Sequence, residues 1–291
     1  MYPPRFEYEA PDTVAEAVGL LAEGHGSAKV LAGGQSLIPM MKTRFASPEM
    51  LVDINGISDL EYHRRDADGS IRVGALCRHA TLEQSQVLAD HQPTMAAASA
   101  LVADPIVRNR GTLVGSLCHA DPQGDWAAVM ASLGASVIAQ GPTGERVIPV
   151  QEFAVGPFQN ALAYDEIAVA AVVPPPKGKP EGGYLKMERR VGDFATAGVA
   201  VSLDRSAGGV ARAGIALTGV GPRTIVAEEA AAILVERGLD PDSIAEAARA
   251  AAGAAQPKTD HRGTAEYKRH LVEVFTSRIL KRIAGSSEEA A

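Results

Sequence analysis

Two cysteines, Cys77 and Cys118, stand in a chain of 291 residues. They are too few for a disulfide framework and too few for an iron–sulfur cluster held by cysteine alone. Aromatic residues make up 4% of the chain, so its cores must be aliphatic and alanine-rich. No apolar run approaches about 18 residues, and no membrane span is expected. Positive charge is also short. Against 35 Asp and Glu there are 28 Lys and Arg, a formal net charge of −7 that leaves no basic footprint for nucleic acid. The start, Met1-Tyr2-Pro3-Pro4-Arg5-Phe6-Glu7, is neither basic nor followed by an apolar segment, so it carries no secretory pattern and a cytoplasmic protein is expected. No Walker sequence, no hydrolase order of Ser, His and Asp, and no internal repeat stands out.

What remains is an ordinary globular composition, 46% hydrophobic and 22% charged. The length exceeds what one core serves best, so two domains are expected, with the Pro-, Lys- and Gly-rich segment Pro174 to Gly183 as the boundary. Before it, Pro3 to Tyr8, Lys29 to Ala32, Met50 to Ile54, Ile71 to Ala75 and Glu166 to Val173 read as strands, the second of them buried. Ala135 to Ala139 and Arg146 to Ile148 read as a hairpin around Gly141-Pro142-Thr143-Gly144. A helix starts at Thr13, with Glu16 in capping-box spacing, and Gly24 and Gly26 close it. Further helices are expected at Thr81 to Ala89, Thr94 to Val102 and Trp126 to Leu133. Beyond the boundary, Tyr184 to Arg189, Gly198 to Asp204 and Val210 to Val220 read as three strands. Helices follow over Ala227 to Glu236, Pro241 to Ala252 and Thr264 to Ile283. The last carries Tyr267, Leu271, Val274, Phe275, Ile279 and Ile283 on one stripe. Ser286 to Ala291 reads as a disordered tail. The whole is an α+β pattern.

Two stretches carry chemistry. In Lys29-Val30-Leu31-Ala32-Gly33-Gly34-Gln35-Ser36-Leu37 a strand ends abruptly in adjacent glycines. Such a turn can aim several N–H groups at one point and bind an anion, most often a phosphate, with Gln35 and Ser36 as further donors. An ordinary tight turn gives the same sequence. Lys42 and Arg44 could reach an anion or face solvent. The second stretch, residues 104–126, mixes glycine, hydroxyls and acids with little helical or strand period, as functional irregular segments do. Its Ile106, Val107, Leu113, Val114 and Leu117 argue against disorder. Asp125 stands where a helix N-cap is expected.

Taken in order, these strings resemble the FAD-binding subunit of the molybdenum hydroxylases (the xanthine dehydrogenase and carbon monoxide dehydrogenase family), in particular the medium subunit of the latter. The matching residues are 32–39 (Ala-Gly-Gly-Gln-Ser-Leu-Ile-Pro), 51–55 (Leu-Val-Asp-Ile-Asn) and 107–112 (Val-Arg-Asn-Arg-Gly-Thr). His119-Ala120-Asp121-Pro122 with Asp125, and Lys186 to Asp193, also match. The likeness runs from about residue 4 to about residue 283. It implies a two-subdomain FAD-binding domain of the PCMH type over residues 1–176. A smaller α+β C-terminal domain would follow over 177–285, with a three-stranded antiparallel sheet and helices. It further implies that FAD lies over Lys29 to Leu37, over Val107, Gly111, Thr112, Val114, Gly115 and Ser116, and near Cys118, His119 and Gly124. Asp125 would meet the ribityl region, Ile167 and Ala168 the adenine side, and Lys186 the flavin. No catalytic residue and no metal ligand is assigned to this chain.

The same resemblance implies partner chains, a large subunit with the molybdenum–pterin cofactor and a small subunit with two-iron two-sulfur clusters, arranged as a dimer of heterotrimers. Electrons would leave through FAD to an external acceptor. The substrate could be carbon monoxide, an N-heterocycle, an aldehyde or a purine.

Two positions depart from the family. Relatives usually carry two glycines where this chain has Val114-Gly115. A valine tolerates φ > 0 poorly, so either the backbone at 114 is extended or the loop differs. Cys118 occupies a position often apolar and close to the flavin, which suits either a thiol against flavin or a small buried hydrophobe. Without the resemblance, Lys186 reads as an exposed strand lysine, and Glu188, Arg189, Arg190 and Asp193 as a solvated charge run or a partner face. Zinc on Cys77, His79, Cys118 and His119 is conceivable, but the spacings are not typical of ligands. Two rival classes stay open: a stand-alone FAD oxidase and a scaffold that has lost FAD.

Overall fold

A computed structural model describes residues 2–285, so the tail at 286–291 lies outside the described residues. The chain opens with β1 (Glu7–Glu9), α1 (Val14–Glu23), β2 (Ala28–Leu31), α2 (Leu37–Lys42) and β3 (Met50–Asp53). The strands form a parallel sheet in the order β1-β3-β2, with Ala28 opposite Met50 and Leu31 opposite Asp53. Thr13 caps α1 by accepting from the Glu16 N–H at 3.2 Å, and Ala17, Val18 and Leu21 form its buried face. β2 is not the buried strand expected. It lies at a sheet edge, with Ala28 buried, Lys29 exposed, and Val30 and Leu31 half-buried.

The second subdomain comprises β4 (His63–Arg65), β5 (Ile71–Gly74), α3 (His79–Glu83), α4 (Gln86–His91), α5 (Pro93–Ser99), α6 (Pro105–Arg108), α7 (Leu113–His119) and α8 (Asp125–Ser132). It continues through β6 (Ser136–Gly141), β7 (Gly144–Pro149), α9 (Val150–Phe153), β8 (Ala154–Gly156), β9 (Gln159–Asn160) and β10 (Ile167–Val173). A five-stranded antiparallel sheet runs β4-β5-β10-β6-β7. Two helical expectations need correction. Thr81 to Ala89 is two helices: α3 ends at Glu83, and the Ser85 hydroxyl caps α4 by accepting from the Leu88 N–H. The run 104–126 is mostly short helices. The Asp104 carboxylate accepts from the Val107 N–H at 2.8 Å to start α6, and the Thr112 hydroxyl accepts from the Gly115 N–H at 3.1 Å to start α7. Caps, rather than a long apolar period, make these helices. Leu113, Val114 and Leu117 are buried, whereas Ile106 is 79% exposed.

The last part holds β11 (Lys179–Met187), β12 (Ala197–Ser206), β13 (Gly209–Thr218), β14 (Ile225–Val226), α10 (Glu228–Arg237), α11 (Pro241–Ala254) and α12 (Ala265–Ala284). Its antiparallel sheet has the three expected strands and a fourth of two residues, β14, on the edge. One face, with Val199, Val201, Leu203, Ile215 and Leu217, packs on α10, α11 and α12. The other lies on α5 and α8 of the first part, where Tyr184, Ala200 and Ala216 join that part's core. The approach is close: a Cβ at Gly214 would lie 1.9 Å from Ser132 O. On α12, Leu271, Phe275 and Ile279 are buried as expected, but Tyr267 points outward and Lys268 is buried instead, its ammonium 2.7 Å from Asp260.

Candidate functional site

The two stretches singled out in the sequence touch each other. A Cβ at Gly33 would lie 2.2 Å from Arg110 O and 2.8 Å from Gly111 Cα, so the turn after β2 meets the 110–111 backbone where only glycine fits. Gly34 supplies the left-handed step, φ +72°. Among the described residues, the N–H groups of Gly33, Gly34, Gln35, Ser36 and Leu37 make no hydrogen bond. They are donors left for something else. The side chains behave differently from expectation. The Gln35 amide folds back to donate to Gly33 O at 3.2 Å, and Ser36 makes no capping hydrogen bond.

Residues that sequence reasoning passed over hold this pair of loops. Asn55 donates from Nδ2 to Ala32 O at 2.8 Å and accepts from Arg78 Nη2 at 2.6 Å. Arg78 Nη1 donates to Arg110 O at 2.6 Å. One guanidinium therefore holds the 110–111 loop directly and the glycine turn through Asn55. Asn55 closes the matching string 51–55 and Arg110 lies within the string 107–112, which were their signals; Arg78 had none. A surface hollow of about 460 Å³ is lined by Pro39, Met40, Thr43, Arg44 and Phe45, on α2 and just after it, and includes none of the residues of this contact.

After Gly111 the chain enters α7. Val114 is buried in its first turn, so its backbone is helical, neither extended nor left-handed, and a β-branched residue fits. Gly115 serves the cap, since a Cβ there would sit 2.6 Å from Thr112 Oγ1. Cys118 is half-buried as a residue, its thiol pushed up to about 12 by burial, and its carbonyl accepts from Asn160 Nδ2 at 2.7 Å. His119 lies tilted against Phe158, and Ala120 ends α7 at φ 52°. Val107 and Ser116 are half-buried. Ile167 and Ala168 are closed to solvent in β10, so a ligand there would meet backbone. Among the described residues no group of three His, Cys, Asp or Glu side chains could hold a metal ion. His79 is occupied otherwise: its Nδ1 accepts from Trp126 Nε1 at 3.0 Å, and burial lowers its pKa to about 4.

Asp125 corrects the N-cap reading. Gly124 is the cap of α8, and the Asp125 carboxylate turns instead toward the C-terminal sheet. Tyr184 donates its hydroxyl to Oδ1 at 2.5 Å, and Lys186 donates from Nζ to Oδ2 at 3.3 Å. The Lys186 side chain is 1% exposed, which rules out the exposed strand lysine. Its ammonium also donates to Asp193 O at 3.0 Å and pairs with Glu188 Oε2 at 3.0 Å. Burial pushes the Asp125 carboxyl up against the pull of Lys186 and Tyr184. Strand alternation puts Tyr184, Lys186 and Glu188 on one face, where Gly198 makes room: a Cβ there would lie 2.8 Å from Tyr184 Oη. Thr196, just before β12, has a buried hydroxyl with no partner among the described residues. The charge run at 186–193 is thus divided. Lys186 and Glu188 turn inward, Arg190 faces solvent, and Asp193 is held by Arg262 at 3.0 Å.

The two centres are linked through His79, which packs under Gly111, and Trp126, which follows Asp125 on α8. A dinucleotide asks for clustered N–H donors without intervening Cβ atoms and for a cation near a reducible ring. The free N–H row, the glycine contact, the buried Lys186 and the unpartnered Thr196 hydroxyl fit those demands.

Comparison with known proteins agrees. Residues 4–176 match the family model of the FAD binding domain in molybdopterin dehydrogenase, and residues 183–283 match that of the CO dehydrogenase flavoprotein C-terminal domain. The chain is 39% identical to the carbon monoxide dehydrogenase medium chain of Hydrogenophaga pseudoflava over 280 residues, covering 96% of this chain and 97% of the relative. It is 38% identical to the 6-hydroxypseudooxynicotine dehydrogenase complex subunit alpha of Paenarthrobacter nicotinovorans over 282 residues, 96% of this chain and 95% of that one. It superimposes with a TM-score of 0.93 at 40% identity on a solved carbon monoxide dehydrogenase from Hydrogenophaga pseudoflava, covering 98% of this chain and 99% of that one. The chain belongs to the FAD-binding medium subunits of the molybdenum hydroxylase family, the flavoprotein components of oxidoreductases.

Proposed function

We propose that this chain is the electron-exit station of a molybdenum hydroxylase complex. In this reading a large molybdenum subunit oxidises the substrate, and a small subunit with two-iron two-sulfur clusters delivers the electrons here. This chain passes them to an external acceptor, in a dimer of heterotrimers. FAD, when bound, supplies the ability to take single electrons and release a pair. The N–H groups from Gly33 to Leu37 and the start of α7 at Thr112 to Ser116 would hold its pyrophosphate. Asp125 and Lys186 would stand at its ribityl and ring ends, with Lys186 favouring the added negative charge of reduction. Residues 1–176 would form the cofactor-binding domain, and 177–285 would close it from one side with the β11 face.

The observation that carries this reading is the Gly33 contact with Arg110 and Gly111, which makes two distant loops one cradle. A medium subunit of this kind does not choose the substrate. Its relatives serve dehydrogenases named for carbon monoxide and for 6-hydroxypseudooxynicotine, at nearly equal identity. The helical backbone at Val114 removes the reason for favouring a scaffold that has lost FAD. The test is the visible spectrum of the purified full chain, with the released cofactor identified by mass. One FAD per chain and no iron is expected. A chain that stays colourless after reconstitution with excess FAD overturns the reading.

A further inference from the structure

His79 is given no role in that arrangement, yet it is built into the cradle from three sides. It opens α3, its backbone N–H donates to Gly111 O at 3.0 Å, and its ring is buried. The ring edge lies where a side chain at 111 would project: a Cβ on Gly111 would meet Cδ2 at 2.8 Å and Nε2 at 3.0 Å. Trp126, itself fully buried, donates its indole N–H to Nδ1 at 3.0 Å. An indole nitrogen can donate and cannot accept, so Nδ1 carries no proton and the neutral ring bears its proton on Nε2. A second proton on Nδ1 would set one N–H against another. Arg108 on α6 and Arg78, the preceding residue, add positive charge that opposes it, although Glu83 pairs with Arg108 at 2.8 Å. Among the described residues the Nε2–H has no hydrogen-bond partner. The fold therefore fixes one tautomer of a neutral imidazole and leaves its donor free beside the loop that touches Gly33.

We propose that His79 is a ligand-binding residue, its Nε2–H donating to a phosphate oxygen of the dinucleotide held between the 33–37 and 111–116 loops. The proposal rests on the FAD reading above and adds to it a donor of fixed direction. Trp126 is the positioning residue: its indole holds the tautomer and so connects α8 to the phosphate site. A neutral donor takes up no proton on binding, so the affinity it confers does not follow histidine titration.

The test uses the full chain freed of flavin, titrated with FAD by fluorescence quenching, and the same chain labelled with ¹⁵N. His79→Phe, which keeps the ring and removes the donor, should weaken FAD about ten- to hundred-fold. His79→Gln, which can present an N–H near the same point, should recover much of that loss. Wild-type affinity should stay flat from about pH 6 to about pH 8. The Nδ1 resonance should remain that of an unprotonated nitrogen throughout, and the Nε2–H should move and exchange more slowly when FAD binds. If His79→Phe does not fold, the wild-type resonances decide alone. Unchanged FAD affinity in His79→Phe, an Nε2–H indifferent to FAD, or a ring that titrates in this range overturns the inference while leaving the flavin reading intact. A wild-type chain that binds no FAD overturns both.

Discussion

The two halves of the site are built on opposite principles. At the glycine contact the structure works by leaving side chains out: Gly33 lets two backbones meet, and the donors are main-chain N–H groups. At the Asp125–Lys186 centre it works by burying charge. One ammonium, itself buried, stands between the buried Asp125 carboxylate and the half-buried Glu188 carboxylate. The first is shape-limited and should answer to added volume; the second is charge-limited and should answer to a lost partner.

Three measurements sharpen or break that contrast. Lys186→Met should have the largest effect on stability. It leaves the buried Asp125 carboxylate, and the half-buried Glu188 beside it, without their cation, a loss of about 3–5 kcal/mol in denaturant unfolding. Adding Asp125→Asn should restore part of it, and a double variant no more stable than Lys186→Met would count against the pairing. Gly33→Ala should cost about 1–3 kcal/mol, because the new methyl meets backbone that cannot step aside. Its effect on FAD affinity should be large for so small a change, since it parts the two loops. If Gly33→Ala were the more destabilising, or left FAD binding untouched, the division between volume and charge would fail.

The smallest effect concerns pH. Burial holds the Asp125 carboxyl above the ordinary carboxylate range. Its favourable contribution is therefore complete below the unfolded value and is lost as pH rises through the folded one. Asp53, Asp66 and Asp260, held low by their partners, act in the other direction and lose stability as pH falls. The comparison must therefore be made against Asp125→Asn. Relative to that variant, the wild-type flavin-free chain should gain stability on moving into the mildly acidic range. No relative gain would mean that Asp125 titrates as an ordinary carboxyl.

Much of this could be read from the residues. Gly33-Gly34 with Val107 to Thr112, and the string 51–55, carried the family resemblance before any contact was known, and the structure brings the first two stretches together. The hairpin over 135–148 and the capped start of α1 followed local rules. The rest depended on partners far along the chain. Asp125 before an apolar run is locally indistinguishable from an N-cap, because Tyr184 lies 59 residues away. Lys186 looks exposed on a strand until α8 is laid across it. Arg78 sits in no pattern, since its two acceptors belong to separate loops. The short helices after Asp104 were hidden because their stability lies in caps and in Leu113 and Leu117, not in a repeated stripe.

The placement of Asp125 also bears on how the chain is made. As the polypeptide leaves the ribosome from its N-terminus, α8 is complete some fifty residues before Lys186 emerges. Until then the carboxylate has no ammonium, and the helix surface that later receives β12 and β13 stays wet. The first 176 residues made alone should therefore be a poor trap for cofactor and prone to self-association, and the step that buries Asp125 against its ammonium belongs to strands synthesised long after the glycine loops.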